Sequence, residues 1–173
     1  EVPSLSVQDN LMDGQTIQFT IDLYDAQTED LQKSASGMMT VAAIFDIAYT
    51  GWDENASFHS SSIWTYSVDL TNKGNSDVVL DIDYDILLLG NAGISTDWSV
   101  MNYPQTISID RDETKTLDFQ VVQNKVEPDY SDKGVLRVRL TPTDENITGA
   151  APEYSLVSNL IMNRLFSSEP YVL

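Results

Sequence analysis

Polar and apolar residues alternate along most of this chain. The clearest stretch runs from Trp64 to Leu88. Trp64, Tyr66, Val68 and Leu70 fall on one side of an extended backbone, and Thr65, Ser67, Asp69 and Thr71 fall on the other. Successive side chains of a strand point to opposite faces, so this spacing predicts a strand with one dry and one wet face. Asn72-Lys73-Gly74-Asn75 follows, four turn-forming residues with Gly74 able to take positive φ. Then Val78, Leu80, Ile82, Tyr84, Ile86 and Leu88 share a face opposite Asp81, Asp83 and Asp85. Two such runs about a short turn predict a β-hairpin, and the rest of the chain reads as sheet built around it.

The same grammar recurs on both sides of that pair. Ile17, Phe19, Ile21 and Leu23 alternate with Gln18, Thr20 and Asp22 after an Asp13-Gly14 turn, predicting an amphipathic strand. Asp25 to Gly37 is polar and reads as a loop, long enough to hold a short helix. Met39, Val41, Ala43, Phe45, Ile47 and Tyr49 predict another strand. Its second face is also fairly apolar, which places it in the middle of a sheet or under a neighbour. Gly51 to Ser62 and Gly90 to Pro104 read as loops carrying Trp52, His59 and Trp98. Thr106 to Ile109, Leu117 to Val121 and Leu136 to Leu140 are strands. Arg137 and Arg139 sit on one face of the last, where acidic neighbours across the sheet would suit them. Tyr154 to Phe166 fits either a helix stripe or a strand. The return of an antiparallel chain after Leu140 favours the strand.

About eight strands at short spacing predict an all-β antiparallel sandwich, immunoglobulin-like or jelly-roll-like, of about seven to nine strands. A length of 173 residues fits one domain over 1–173, with 1–10 as an extended N-terminal segment. The absence of cysteine excludes a disulfide framework, thiolate metal sites and a cysteine nucleophile. The formal charge of −18, from 27 acidic and 9 basic residues, repels nucleic acid and anionic lipid. The longest apolar stretch, Met38 to Tyr49, is broken by Thr40 and Asp46 and is too short to span a bilayer. The chain begins at Glu1 with no charged-then-apolar leader, so the expectation is an exported protein whose signal peptide was removed, or a trimmed start.

Several features together resemble a known family. The run from Tyr66 to Asn75 resembles the V-x-V-x-N-x-G strand and turn of extracellular immunoglobulin-like modules of the CARDB type. Asp97-Trp98-Ser99-Val100 resembles their loop tryptophan. Ile107 to Leu117 with Thr114 to Val121 resembles their G-x-x-x-x-V-x-V pair, and Gly134 to Leu140 resembles their closing strand. The likeness spans residues 63–141. It departs where Asp112 or Glu113 replaces a turn glycine and where the closing strand lacks a tyrosine. It implies a non-enzymatic spacer, adhesion unit or building block of a prokaryotic surface protein. The architecture and the extended start also resemble, more faintly, fibre subunits of the camelysin and TasA group.

The residues point to little chemistry. His59 lies on one loop with Ser57, Ser60, Ser61 and Ser62, an adjacency that does not build a triad, and no Gly-x-Ser-x-Gly elbow is present. Asp81, Asp83 and Asp85 open like an EF-hand, but the sixth position is Ile86 and the twelfth Ala92. On a strand these carboxylates stand about 7 Å apart, wide for one ion. No cofactor is expected. If an ion is held, it is Ca²⁺ in loops, at Asp129 with Asp132 or at Asp110 with Asp112 and Glu113, against the plainer reading of solvated surface loops. Asn55-Ala56-Ser57 and Asn146-Ile147-Thr148 are sequons that make Asn55 and Asn146 glycan acceptors in an exported protein.

The expected function is therefore a non-catalytic, secreted structural subunit. Copies of itself would be the partner, assembling into a filament, sheath or surface layer by strand addition. Val2, Leu5 and Val7 of the N-terminal segment, or Tyr171, Val172 and Leu173 at the other end, would supply the added strand. The alternative is a carbohydrate-binding or adhesion module in which Trp52 or Trp98 stacks on a sugar, against the plainer reading that a loop tryptophan plugs the end of a sandwich.

Overall fold

A computed structural model of the chain describes residues 11–58, 63–88, 94, 97–124, 133–143 and 154–162. These residues form eleven strands: β1 (Thr16–Tyr24), β2 (Leu31–Thr40), β3 (Ile47–Thr50), β4 (Asn55–Phe58), β5 (Ile63–Asn72), β6 (Val78–Leu88), β7 (Trp98–Met101), β8 (Thr106–Ile109), β9 (Thr114–Gln123), β10 (Lys133–Pro142) and β11 (Tyr154–Met162). Nine of them build two layers. One sheet has the order β4-β11-β10-β6-β8 and the other β3-β5-β9-β7. The pairings are antiparallel except β11 with β4. β1 and β2 form a separate two-stranded sheet. Among the described residues no helix is long and apolar enough to cross a membrane.

The alternating positions do what their spacing predicts. Tyr66, Val68 and Leu70 of β5 and Leu117, Phe119 and Val121 of β9 are buried, facing Leu80, Ile82 and Ile86 of β6 and Leu136, Val138 and Leu140 of β10. The intervening residues are exposed or half-buried. β11 is a strand over Tyr154–Met162 and runs antiparallel beside β10, in line with the strand reading of that segment.

The expected central hairpin is corrected. β5 and β6 do not pair with each other; β5 pairs with β3 and β9, and β6 pairs with β10 and β8. The chain between them arches from one sheet to the other, so their dry faces meet across the core instead of lying side by side. Period-two patterning specifies a dry face but not whether the next strand is a neighbour or an opposite. Asn72 locks the arch. Its Nδ2 donates to Ser76 O at 2.8 Å and to Ile109 O at 3.1 Å, and its Oδ1 accepts from Gly74 N at 2.9 Å. Gly74 is needed for close approach, not for positive φ: a Cβ there would run into Ile44 O.

Two further expectations are corrected. The segment read as a loop over residues 25–37 contains most of β2 rather than a short helix. The segment read as one mid-sheet strand, Met39 to Tyr49, is split. β2 ends at Thr40, and β3 begins at Ile47 on the edge of its sheet. Between them the backbone bonds to the arch. Ile44 N donates to Asn75 Oδ1 at 2.7 Å, Asn75 Nδ2 donates to Ala42 O at 3.0 Å, and Lys73 N donates to Asp46 O at 2.8 Å. Backbone groups engaged in this way are not available to a ladder.

Candidate functional site

The feature that the sandwich does not absorb is the β1–β2 arm. Thr16 lies opposite Thr40 and Leu23 opposite Lys33, and the chain reverses over residues 25–30. Asp25 builds that reversal. Its Oδ1 accepts from Gln27 N at 2.8 Å and Thr28 N at 2.9 Å, while Glu29 takes a φ of 57°. These bonds, Thr28 first, hold the exposed Asp25 carboxyl below its ordinary value.

No residue of either arm strand is buried. Ile17, Phe19, Ile21 and Leu23 share one face with Ala35, Gly37 and Met39. Ile21 is 49% exposed and Leu23 59%. Phe19 lies across Gly37: a Cβ at that position would stand 2.5 Å from the ring's Cζ. The arm is tied to the sandwich at its root, where Val41 N donates to Gln15 O at 2.9 Å, Gly14 N to Val41 O at 3.0 Å and Asp13 N to Asn75 O at 3.3 Å. An isolated two-stranded hairpin is marginal in water, and among the described residues no strand pairs with either of its outer edges.

Asp110, Asp112 and Glu113 do not gather as a metal-holding group. Asp110 N donates to Glu113 Oε2 at 3.0 Å, and Lys115 pairs with Glu113 at 3.2 Å. The Asp110 N–H bond, then Lys115, holds the exposed Glu113 carboxyl below its usual range. Asp112 instead pairs with Arg111 at 3.3 Å. The turn carboxylates thus point to different partners, and among the described residues no group of three or more His, Asp or Glu side chains is arranged to hold a metal. Asp112 takes a φ of 61°, so it occupies the position where a turn glycine was expected. Asp129, Asp132, Asn146, His59, the segment with Val2, Leu5 and Val7, and Tyr171, Val172 and Leu173 lie outside the described residues. Asn55 is exposed, but on the edge strand β4 rather than in a loop, and its Oδ1 accepts from Asn159 Nδ2 at 3.1 Å.

The expected meeting of Arg137 and Arg139 with acids is present. Both reach Asp85, at 2.8 and 3.1 Å. Trp98 belongs to the core and Trp52 packs against it. Trp98 begins β7 and is 4% exposed, set edge-on to Phe58. Trp52 stacks on Tyr66 with ring centroids 5.0 Å apart, and its Nε1 donates to Val157 O at 2.9 Å. Trp98 offers no open face for sugar stacking, and half-buried Trp52 gives one of its faces to Tyr66. Tyr66 in turn shares a hydrogen bond with Ser158 Oγ at 2.8 Å, and burial pushes its phenol up to about 12.

A pH dependence follows from that burial. The folded state keeps the Tyr66 proton after the unfolded phenol has begun to lose its own at 10.0. Above that value the unfolded state binds fewer protons, so stability falls as pH rises from 10 towards 12. Denaturant melts across this range, followed by the tyrosinate absorbance, should show ionisation and unfolding together. Tyr66→Phe should weaken the alkaline loss.

The sequence matches no protein-family profile and no curated protein. Among solved structures it is similar to a FixG-related protein from Vibrio parahaemolyticus, at 14% identity over 72% of this chain and 99% of that one, with a TM-score of 0.44. It is also similar to a chain of the CsuC–CsuE chaperone–tip adhesion subunit complex of Acinetobacter baumannii, at 16% identity over 72% of this chain and 60% of that one, with a TM-score of 0.44. A family 123 glycoside hydrolase from Clostridium perfringens matches at 8% identity over 72% of this chain and 28% of that one, with a TM-score of 0.46. Likeness at this level carries no activity or partner across. On its own strand order and core, the chain is an all-β, immunoglobulin-like sandwich that carries a two-stranded arm.

Proposed function

We propose that this chain is a non-catalytic building block of an extracellular or cell-surface assembly, and that copies join by strand addition through the β1–β2 arm. The observation that carries this reading is the arm: two outer edges that no described strand pairs with, and an exposed apolar face on a root bonded to the sandwich. A third strand, or a sheet to pack against, supplies what a lone hairpin lacks. A second copy brings both the arm and the exposed edge strands, so the contact can repeat head to tail into an open fibre. The CARDB-type resemblance points the same way, to a spacer or building block. The charge of −18 opposes contact between copies, so assembly should strengthen with salt. A glycan on Asn55 would cover the β4 edge and leave the arm as the open one.

The test is the oligomeric state of residues 1–173 at high concentration in low and high salt, by sedimentation and negative-stain microscopy. The expected result is salt-promoted multimers or fibres, with Ile21→Lys/Leu23→Lys remaining monomeric at an unchanged melting temperature. A wild-type chain that stays monomeric under all conditions, or a double variant that assembles like wild type, would overturn the reading.

A further inference from the structure

Acidic residues are unevenly spread over the sandwich. β10 and β11 lie side by side and contain Lys133, Arg137 and Arg139 but no Asp or Glu, in a chain of 27 acidic residues. Leu136, Val138 and Leu140 are buried, so by the two-residue period the three bases and Val135 face outward, as do Val157 and Ile161 beside them. The register sets Arg137 opposite Val157 and Lys133 opposite Ile161. Val157 is 47% exposed. Asp85 of β6 fixes both guanidiniums, and their side chains keep 36% and 30% of their surface in water. The outer face of the sheet thus carries a strip, two strands wide, that is part apolar and part basic.

The arm has the complementary pattern. Ile21 and Leu23 stand exposed on its apolar face. Asp25, Glu29 and Asp30 gather at its tip, and Lys33 is its one base. β1 is nine residues long and β10 ten, so two strands of arm can lie along two strands of sheet for about 30 Å.

We infer that the arm of one copy lies apolar face down along the β10–β11 strip of the next. Ile21 and Leu23 cover Val135 and Val157, and the tip acids stand against Arg137 and Arg139. Sheets packed face to face hide an apolar face of each. Charge complementarity selects this surface. On the outer face of the other sheet the tip would meet Asp69 and Asp118, and over β6 it would meet Asp81 and Asp83. A glycan on Asn55 would stand beside the strip, on β4. Salt screens the repulsion between whole copies, which acts beyond about 10 Å, more than it screens charges in contact. Arm and strip are different surfaces, so the contact repeats from copy to copy. The inference rests on the arm as the joint between copies and names the surface that it joins.

The test uses the whole chain, made without glycan, in high salt. Ser155→Glu/Val157→Glu sets new acids opposite Arg139 and Arg137, where they can pair and leave the melting temperature unchanged. The concentration needed for assembly should rise at least tenfold, and Lys133→Glu should raise it severalfold. Thr65→Glu/Ser67→Glu adds the same charge to the outer face of the other sheet and should assemble like wild type. Ser155→Glu/Val157→Glu and Ile21→Lys/Leu23→Lys are then mixed in equal parts, at a concentration where each alone is monomeric. Sedimentation should show a one-to-one dimer that grows no further, because one variant supplies the working arm and the other the working strip. The inference is overturned if Ser155→Glu/Val157→Glu assembles like wild type, if Thr65→Glu/Ser67→Glu loses assembly equally, or if the mixture stays monomeric. Assembly that Ile21→Lys/Leu23→Lys abolishes and Ser155→Glu/Val157→Glu spares would keep the arm as the joint and reject the strip, whereas a wild-type chain that never assembles rejects both.

Discussion

Phe119→Ala is expected to destabilise the sandwich by about 3–5 kcal/mol, the range for emptying a buried aromatic site. Phe119 is 1% exposed. Tyr66 stacks on it at 4.9 Å with 7° between the planes, and Tyr84 meets it edge-on at 5.0 Å. The void would not close easily. Tyr66 is held by Ser158, and Trp52, 6.3 Å from Phe119, is held by its bond to Val157 O. Such a loss is a large part of the roughly 5–15 kcal/mol that holds a domain together. Equilibrium urea melts give the magnitude, and near-ultraviolet dichroism should show the aromatic cluster loosening. Asp118→Ser, one residue away and facing outward, should stay within about 0.5 kcal/mol of wild type. Equal effects at the two positions would contradict the core described above.

Asn72→Ala is the second large effect, expected at about 2 kcal/mol or more, since each buried polar group left unpaired costs about 1–3 kcal/mol. Three groups lose their partner: Ser76 O, Ile109 O and Gly74 N–H. Asn72 is 1% exposed, so water does not readily replace the side chain. Its backbone also joins the β8–β9 turn, donating to Glu113 O and accepting from Asp112 N. Asn72→Asp separates geometry from volume. A carboxylate keeps the shape but faces two carbonyl oxygens, so this variant should be weakest at neutral pH and should recover relative to wild type as the carboxyl protonates in acid. A flat pH profile for that difference would show that the Asn72 amide does not hold the arch.

The two residues differ in how far the sequence foretells them. Phe119 sits at an apolar position of a period-two run, and its burial is read directly from Leu117, Phe119 and Val121. Asn72 reads only as one of four turn-formers. Its role depends on Ile109, which approaches from 37 residues away. The arm was half legible. β1 alternates clearly, but Leu31, Lys33, Ala35 and Gly37 of β2 mix small, charged and apolar residues, so their shared face reads as a loop. The Asp25 turn and Gly37 beneath Phe19 are the local signs that mark it. For the site residues, the sequence places Trp52 and Trp98 in loops but does not choose between a ring that stacks on a sugar and one that plugs the sandwich, because it shows an aromatic residue and not what covers it.

The residue pattern by itself determined the class: alternation across β5, β6, β9, β10 and β11 commits each strand to one dry face, and stacked layers are how such faces escape water. Tertiary structure decided which sheet each strand joins, that the β5–β6 and β8–β9 turns are crossings, and that β1 and β2 stand outside the core. A side-chain period of two is a property of one strand, whereas pairing is a choice among many edges. That choice is settled only when distant backbone groups, such as those gathered at Asn72 and Asn75, find their partners.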